Sequence, residues 1–283
     1  MQEEKGSIMA ANVKIEDIAA AFRYVGAVPG DLVLYHGSMK SIGYVEGGPQ
    51  TVADGVLESV SPGGTIAIPT LWYTGKLPGR SREVDFSIET SPSWNGAMAE
   101  AVRQDPRSIR SNHWTHSVSA IGPRAAELTA SHGKGRMYPS PWSDTAFAEI
   151  SPWSHLYEWN ALYAFIGVDM SSCTMKHWIE SRYVSRILDL LSDERRQEYR
   201  DMLRHDRQTV GICFGIEGPK MQHYLESLDL IRKTKLGKAE VIAIRTRPMV
   251  DNMLKALTAA PEKWFPADFL AWREKVLLET RAK

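Results

Sequence analysis

Cysteine is nearly absent. The chain has two in 283 residues, Cys173 and Cys213, far apart and not at a metal-type spacing. That speaks against a disulfide framework and for a reducing compartment. Net charge is absent too: 34 Lys and Arg face 34 Asp and Glu. No global field would gather nucleic acid or an anionic membrane, and none would gather polycations. No apolar run is long enough to span a bilayer. The start, Met1-Gln2-Glu3-Glu4-Lys5, lacks the basic and then apolar pattern of a secretory signal. These absences predict a cytoplasmic protein, a monomer or homodimer, whose partner is a small molecule and neither nucleic acid nor membrane.

What is present is ordinary for a soluble globular chain: 43% hydrophobic and 24% charged residues. The length suits one large domain or two modest ones. No internal boundary stands out, so a single domain over 1–283 is expected. Apolar residues at Ile15, Ile18, Ala19, Phe22 and Val25 mark a helix. After the turn Pro29-Gly30-Asp31, the run Leu32 to Tyr35 reads as a strand buried on both faces. A helix from Gln50 to Val60 and a strand from Thr65 to Ile68 continue the rhythm. Further strands are expected at 161–168, 210–214 and 241–244, and further helices at 94–102, 123–129, 219–231, 247–257 and 266–280. The βαβ rhythm predicts an α/β fold, a layered sandwich with a central mixed, mostly parallel sheet flanked by helices. Ligands then favour the loops at the carboxyl ends of the strands. Residues 74–93 and 131–160 read as long irregular stretches. A charge-dense segment at about 187–208 reads as a solvated helix.

The chemistry concentrates between Tyr163 and Arg182. An apolar run meets small polar residues, and a helix follows, with Ser171 or Ser172 placed to cap it. His177 and Glu180 lie three apart on one helical face. A carboxylate beside an imidazole fixes its tautomer and stabilises its protonated form, as a general base requires. Thr174 sits one turn earlier. On spacing alone such a pair is more often a solvated surface pair. After the first strand, His36 to Gly43 supplies small, hydroxylated and basic residues suited to an anion, although a plain turn fits equally well. His113 and His116 suggest zinc, but on a strand residues three apart face opposite sides, and no third ligand has a sensible spacing.

Six segments together resemble the aminoglycoside 3-N-acetyltransferase family, distinct from the GNAT fold. They are Pro29-Gly30-Asp31, Ser38-Met39-Lys40-Ser41-Ile42-Gly43, Gly63-Gly64-Thr65 to Pro69-Thr70, Thr115-His116-Ser117-Val118, Ile121-Gly122-Pro123-Arg124-Ala125, and Gly167-Val168 to Glu180. The resemblance runs from about residue 15 to 182, with a weaker echo at 241–257. It implies an acyltransferase that uses acetyl-coenzyme A and no metal, with His177 as base, Glu180 as its partner and Thr174 nearby. It places Ser38, Met39, Lys40, Ser41, Thr70, Thr115, His116 and Ser117 on the coenzyme side.

The acceptor is less defined. Polycationic aminoglycosides favour acidic pockets, whereas this chain is neutral and carries Trp72, Trp94, Trp114, Trp142 and Trp153 in its variable loops. Trp72, Trp94, Asp85, Asp144 and Asp169 are the expected acceptor-side residues, with Glu149 a further acidic candidate. The first reading is N-acetylation of a small amine, an antibiotic or natural product. Aminoglycoside acetylation proper is a narrower version. A metal-dependent hydrolase built on His113 and His116, and a coenzyme A-binding protein without catalysis, are the alternatives. An acetyl-cysteine intermediate on Cys173 is a further one.

Overall fold

The structure is a computed structural model, and it describes residues 12–72, 86–140, 143–203, 212 and 214–281. Seven strands form one sheet: β1 (Leu32–Gly37), β2 (Thr65–Pro69), β3 (Ile109–Arg110), β4 (Val118–Ile121), β5 (Leu162–Ile166), β6 (Arg232–Leu236) and β7 (Ala239–Arg245), in the order β3-β4-β2-β1-β5-β7-β6. Parallel pairing is confined to the centre, where β1 lies between β2 and β5. The outer strands β4, β3, β7 and β6 add antiparallel. The sheet is therefore mixed, as expected, but mostly antiparallel and not mostly parallel, because the βαβ rhythm near the N-terminus reports only its centre.

Alternation along β1 explains the layers. Leu32 and Leu34 enter one core and Val33 and Tyr35 the other, because successive side chains of a strand point to opposite faces. Helices α1 (Ile15–Tyr24), α3 (Pro49–Ser59) and α4 (Ala97–Gln104) cover the second face with Ile18, Phe22, Val52, Val56, Met98 and Val102. A short turn of helix, α2 (Met39–Ile42), follows β1 directly. The opposite face carries α5 (Ala125–Thr129), α6 (Pro152–Glu158), α7 (Met175–Leu188), α8 (Asp193–Met202), α9 (Gly218–Ser227), α10 (Thr246–Ala259) and α11 (Ala267–Arg281). No helix of the described residues is long and apolar enough to cross a membrane.

Several expectations change. Residues 111–117 form a turn between β3 and β4, not a continuous strand. The stretch 131–160 contains α6, which Ser151 caps by accepting the Ser154 amide. The charged segment is not one helix: α7 runs to Leu188, residues 189–192 break it, and α8 restarts at Asp193 with Ser192 at its N-cap. Helix α9 ends at Ser227, short of the expected 231, and after a turn the edge strand β6 begins at Arg232, its Arg-Lys-Thr-Lys pattern having hidden it. Ile212 and Phe214 are irregular, not strand. The remainder of 204–213 lies outside the described residues.

Candidate active site

The site forms because β1 and β5 are parallel neighbours, with Gly37 paired to Ile166. Their carboxyl-terminal loops therefore leave the sheet side by side, with β2 on the far flank of β1. That is the crevice where open α/β sheets bind ligands. Ser38 N–H donates to the Ile166 carbonyl at 3.0 Å, and Ser41 Oγ donates to the Gly167 carbonyl at 3.0 Å. Gly167 makes this contact feasible: its φ is +63°, and a Cβ there would lie 2.2 Å from Ser41 Cβ. Lys40 is exposed and has no carboxylate partner among the described residues.

Downstream of β5, Asp169 caps a 3-10 turn, Met170–Ser172, by accepting the Ser171 amide at 2.8 Å. Neither Ser171 nor Ser172 caps the long helix. Thr174 occupies that N-cap, and its hydroxyl lies against the Tyr163 phenol. Three residues on, His177 Nδ1 is 2.8 Å from Glu180 Oε2. Glu180 has no exposed surface, so the solvated-pair reading does not hold. Its other oxygen accepts the Ile216 amide at 2.7 Å. A carboxylate already taking a backbone N–H accepts from Nδ1–H as well, which assigns the proton to Nδ1 and the lone pair to Nε2.

His113 and His116 face one another on the turn, with ring centroids 6.3 Å apart, which corrects the strand-based expectation of opposite faces. His132 stacks on His113 at 4.5 Å. His113 Nδ1 accepts the amides of Thr115 and His116, so its Nε2–H donates to Thr145 Oγ1 at 3.1 Å. His132 Nε2–H donates to the Ala146 carbonyl at 2.9 Å. Burial pushes His132 down to about 4, and burial with neighbouring imidazoles holds His113 and His116 well below the usual range. All three are neutral rings in a packed wall. Among the described residues no group of three or more His, Cys, Asp or Glu could hold a metal. Phe147 links this wall to His177, its ring 4.9 Å from that of His116 and 6.3 Å from that of His177.

The other expected residues fall in three groups. Thr70 and Ser117 are fully buried around Arg110, which donates to the Thr70 carbonyl at 2.6 Å and to Ser117 Oγ at 3.1 Å. Ser117 also donates to the Thr70 carbonyl. Thr115 and His116 are buried and bonded to one another at 2.9 Å. These four build the wall. Ser38, Lys40 and Ser41 stand at the crevice, and Met39 packs on the core beneath α1, α3 and α4. On the acceptor side, Trp72 tilts against Phe86 at 5.9 Å, and Trp94 is 66% exposed, its amide bonded to the Leu71 carbonyl. Asp144 is ion-paired to Arg200, Asp169 is a cap, and Glu149 accepts the Arg136 amide. Asp85 and Trp142 lie outside the described residues. Cys173 is buried and its thiol pushed up to about 11 by desolvation.

Sequence reasoning missed the Ile216 amide, Phe147 and Tyr163. Tyr163 OH is 2.8 Å from His36 Nε2, tying the end of β1 to the start of α7. Burial pushes His36 down to about 3, so it too is neutral. A polar tip on a strand interior was the available signal for Tyr163. Nothing in sequence marks a backbone amide.

An open α/β sheet with a buried carboxylate–imidazole pair at its strand ends is an enzyme-like architecture, and relatives define which one. A family model described as aminoglycoside 3-N-acetyltransferase matches residues 34–258. The chain belongs to that family, whose members are acyltransferases. It is 29% identical over 222 residues to aminoglycoside N(3)-acetyltransferase III of Salmonella sp, covering 71% of this chain and 74% of the relative. Among solved structures, AAC-IIIb in a binary complex with CoASH superposes with a TM-score of 0.68 at 18% identity, covering 91% of this chain and all of that one. AAC-VIa bound to sisomicin gives 0.66 at 20% identity, covering 88% and 98%. At those identities the structures share the fold.

Proposed function

We propose that the protein transfers an acetyl group from acetyl-coenzyme A to a primary amine of a small molecule, with His177 as general base. The observation that carries this is the buried Glu180 carboxylate held between the Ile216 amide and His177 Nδ1. It leaves Nε2 as the basic nitrogen. Membership of the acetyltransferase family supports the reaction, and the coenzyme and sisomicin complexes of the two structural relatives support the donor and an amine acceptor.

The crevice fits an anionic coenzyme: Ser38 lies partly exposed at the mouth of β1, Lys40 offers an exposed ammonium, and Gly167 opens the floor. Ser38, Lys40 and Ser41 would hold the donor, which supplies an acetyl thioester when bound. A primary amine is mostly protonated at neutral pH and cannot attack that carbonyl. His177 Nε2 takes the proton as the nitrogen attacks, a contribution of about 10² to 10⁴ in rate. Glu180 stabilises the imidazolium that results. Holding amine and thioester together supplies much of the remainder. Ser38 N–H is spent on the Ile166 carbonyl, the Ser41 amide on the Ser38 carbonyl, and the Thr174 hydroxyl faces Tyr163, so the oxyanion is assigned to the Met39 and Lys40 amides that open the turn. The scarcity of cysteine and the buried Cys173 thiol suit a cytoplasmic setting.

The test is thiol release from acetyl-coenzyme A with a panel of amines. Release with at least one amine, lost in His177→Ala, is the expected result. Normal turnover by His177→Ala overturns the assignment of the base.

A further inference from the structure

The charged helix α8 has no part in the reaction described above, yet it reaches the site. Its register is fixed from within the core: the Tyr199 carbonyl accepts Trp272 Nε1–H at 3.0 Å, and Arg195 pairs with Glu279 of α11. The next residue, Arg200, then points its guanidinium at Asp144 and pairs with Oδ2. Asp144 opens the segment whose Thr145 bonds His113 and whose Phe147 stands 6.3 Å from His177. The pair therefore anchors the segment that carries Thr145 and Phe147 to the site.

Two features mark it as more than a surface pair. Asp144 Oδ1 is out of solvent and has no hydrogen-bond partner among the described residues, so within them the carboxylate is only half satisfied. An incompletely satisfied carboxylate is a cost to folding. The pairing also takes up a negative charge, and the other carboxylates described at the site are engaged as well. Glu180 is consumed by His177 and Ile216. Asp169 caps the Ser171 amide, and Lys176 lies beside it, its ammonium donating to the Ser171 carbonyl at 3.2 Å.

We propose that Arg200 is a specificity-determining residue that neutralises Asp144 and so selects acceptor amines of low total charge over polycations. This rests on the amine-acetylating reading of the site and deepens it. A monoamine needs only the base and an apolar wall such as Phe147. A polycation needs several free carboxylates, because each additional ammonium must be matched or left in water. With Arg200 in place, the Asp144 carboxylate is cancelled and the pair offers an incoming ammonium no net negative charge.

The test is equilibrium binding by calorimetry with no acetyl donor present, using gentamicin as the polycation and phenethylamine as the monoamine. Wild type is expected to favour phenethylamine. Arg200→Ala should raise the gentamicin-to-phenethylamine affinity ratio by about tenfold, the scale of losing a nearby like charge and freeing an opposite one. Arg200→Lys, which keeps the charge, should retain the wild-type ratio. Adding Asp144→Asn to Arg200→Ala should remove the gain, and circular dichroism checks that each variant is folded. A ratio that is unchanged or falls in Arg200→Ala overturns the proposal. So does a wild type whose tighter binding of gentamicin is lost in Asp144→Asn, because Asp144 would then hold substrate with Arg200 present. The expected binding pattern without thiol release on adding acetyl-coenzyme A would remove the catalytic reading and leave the charge selection standing.

Discussion

Glu180 and Ile216 lie 36 residues apart in sequence and are joined by a 2.7 Å hydrogen bond from the Ile216 amide to the carboxylate. Because Glu180 holds His177 with its other oxygen, the segment that follows α8 fixes the orientation of the His177 ring. Glu180→Gln offers one acceptor oxygen to two donors. Its kcat is expected to fall by about 10², less than for loss of the base itself, with coenzyme affinity retained. Leaving one buried donor unmet should cost about 1–3 kcal/mol of stability. Thiol-release kinetics and urea titration measure the two effects, and an unchanged kcat would remove Glu180 from the mechanism.

His177→Ala should lower kcat by about 10² to 10⁴. Binding of coenzyme A should stay within a few-fold of wild type, because the crevice at Ser38 to Ser41 is built by β1 and β5 and not by the imidazole. Isothermal titration with coenzyme A separates this from a folding defect. Loss of coenzyme binding in parallel would show that the substitution damages the scaffold.

Lys40→Ala should raise KM for acetyl-coenzyme A by about tenfold with kcat nearly unchanged. An exposed ammonium that meets a phosphate contributes binding shared equally by ground and transition states. The same variant should show a weaker dependence of KM on salt. A fall in kcat with KM constant would move Lys40 out of the coenzyme crevice.

Cys173→Ala should keep kcat within about threefold of wild type. Burial raises the thiol to about 11, and a nucleophile needs the thiolate. Mass spectrometry of wild type quenched during turnover should show no acetylated protein. An acetyl adduct on Cys173 would replace direct transfer with a two-step route.

Acid should destabilise the protein from about pH 6.5 downward. His36 and His132 are held down to about 3 and 4 by burial, and His113 and His116 are also lowered. Folded rings thus stay neutral at pH values where unfolded ones take up protons. Stability is fully present above the unfolded value near 6.5 and is lost as pH falls toward the folded values. Each such histidine contributes a slope of up to about 1.4 kcal/mol per pH unit. Urea titrations at pH 7.5, 6.0 and 5.0 read the slope, and equal midpoints across that range would contradict neutral buried rings.

Much of this was visible in the chain itself. The apolar run Leu32 to Tyr35 lies between Pro29-Gly30 and Gly37, and Leu162 to Ile166 ends at Gly167, so the order of the central strands follows from local pattern. The His177–Glu180 pair is legible because helical spacing is a local property, and the family resemblance rests on contiguous motifs. His113 and His116 were misplaced because the turn at 111–117 is held by side chains from elsewhere, Thr145 and His132 among them. Strand β6 was missed because an edge strand can be polar on both faces and lacks the buried alternation that marks a central one. Burial of Glu180, the pairing of Asp144 with Arg200 and the meeting of the Ser38 and Gly167 loops join residues dozens to more than a hundred positions apart. The sequence by itself determined the central strands and most helices, the fold family and the spacing that pairs His177 with Glu180, because those depend on neighbours along the chain. Only tertiary structure decided which carboxylate is dry, which is neutralised and which amide holds the base, because those depend on what the folded chain brings against them.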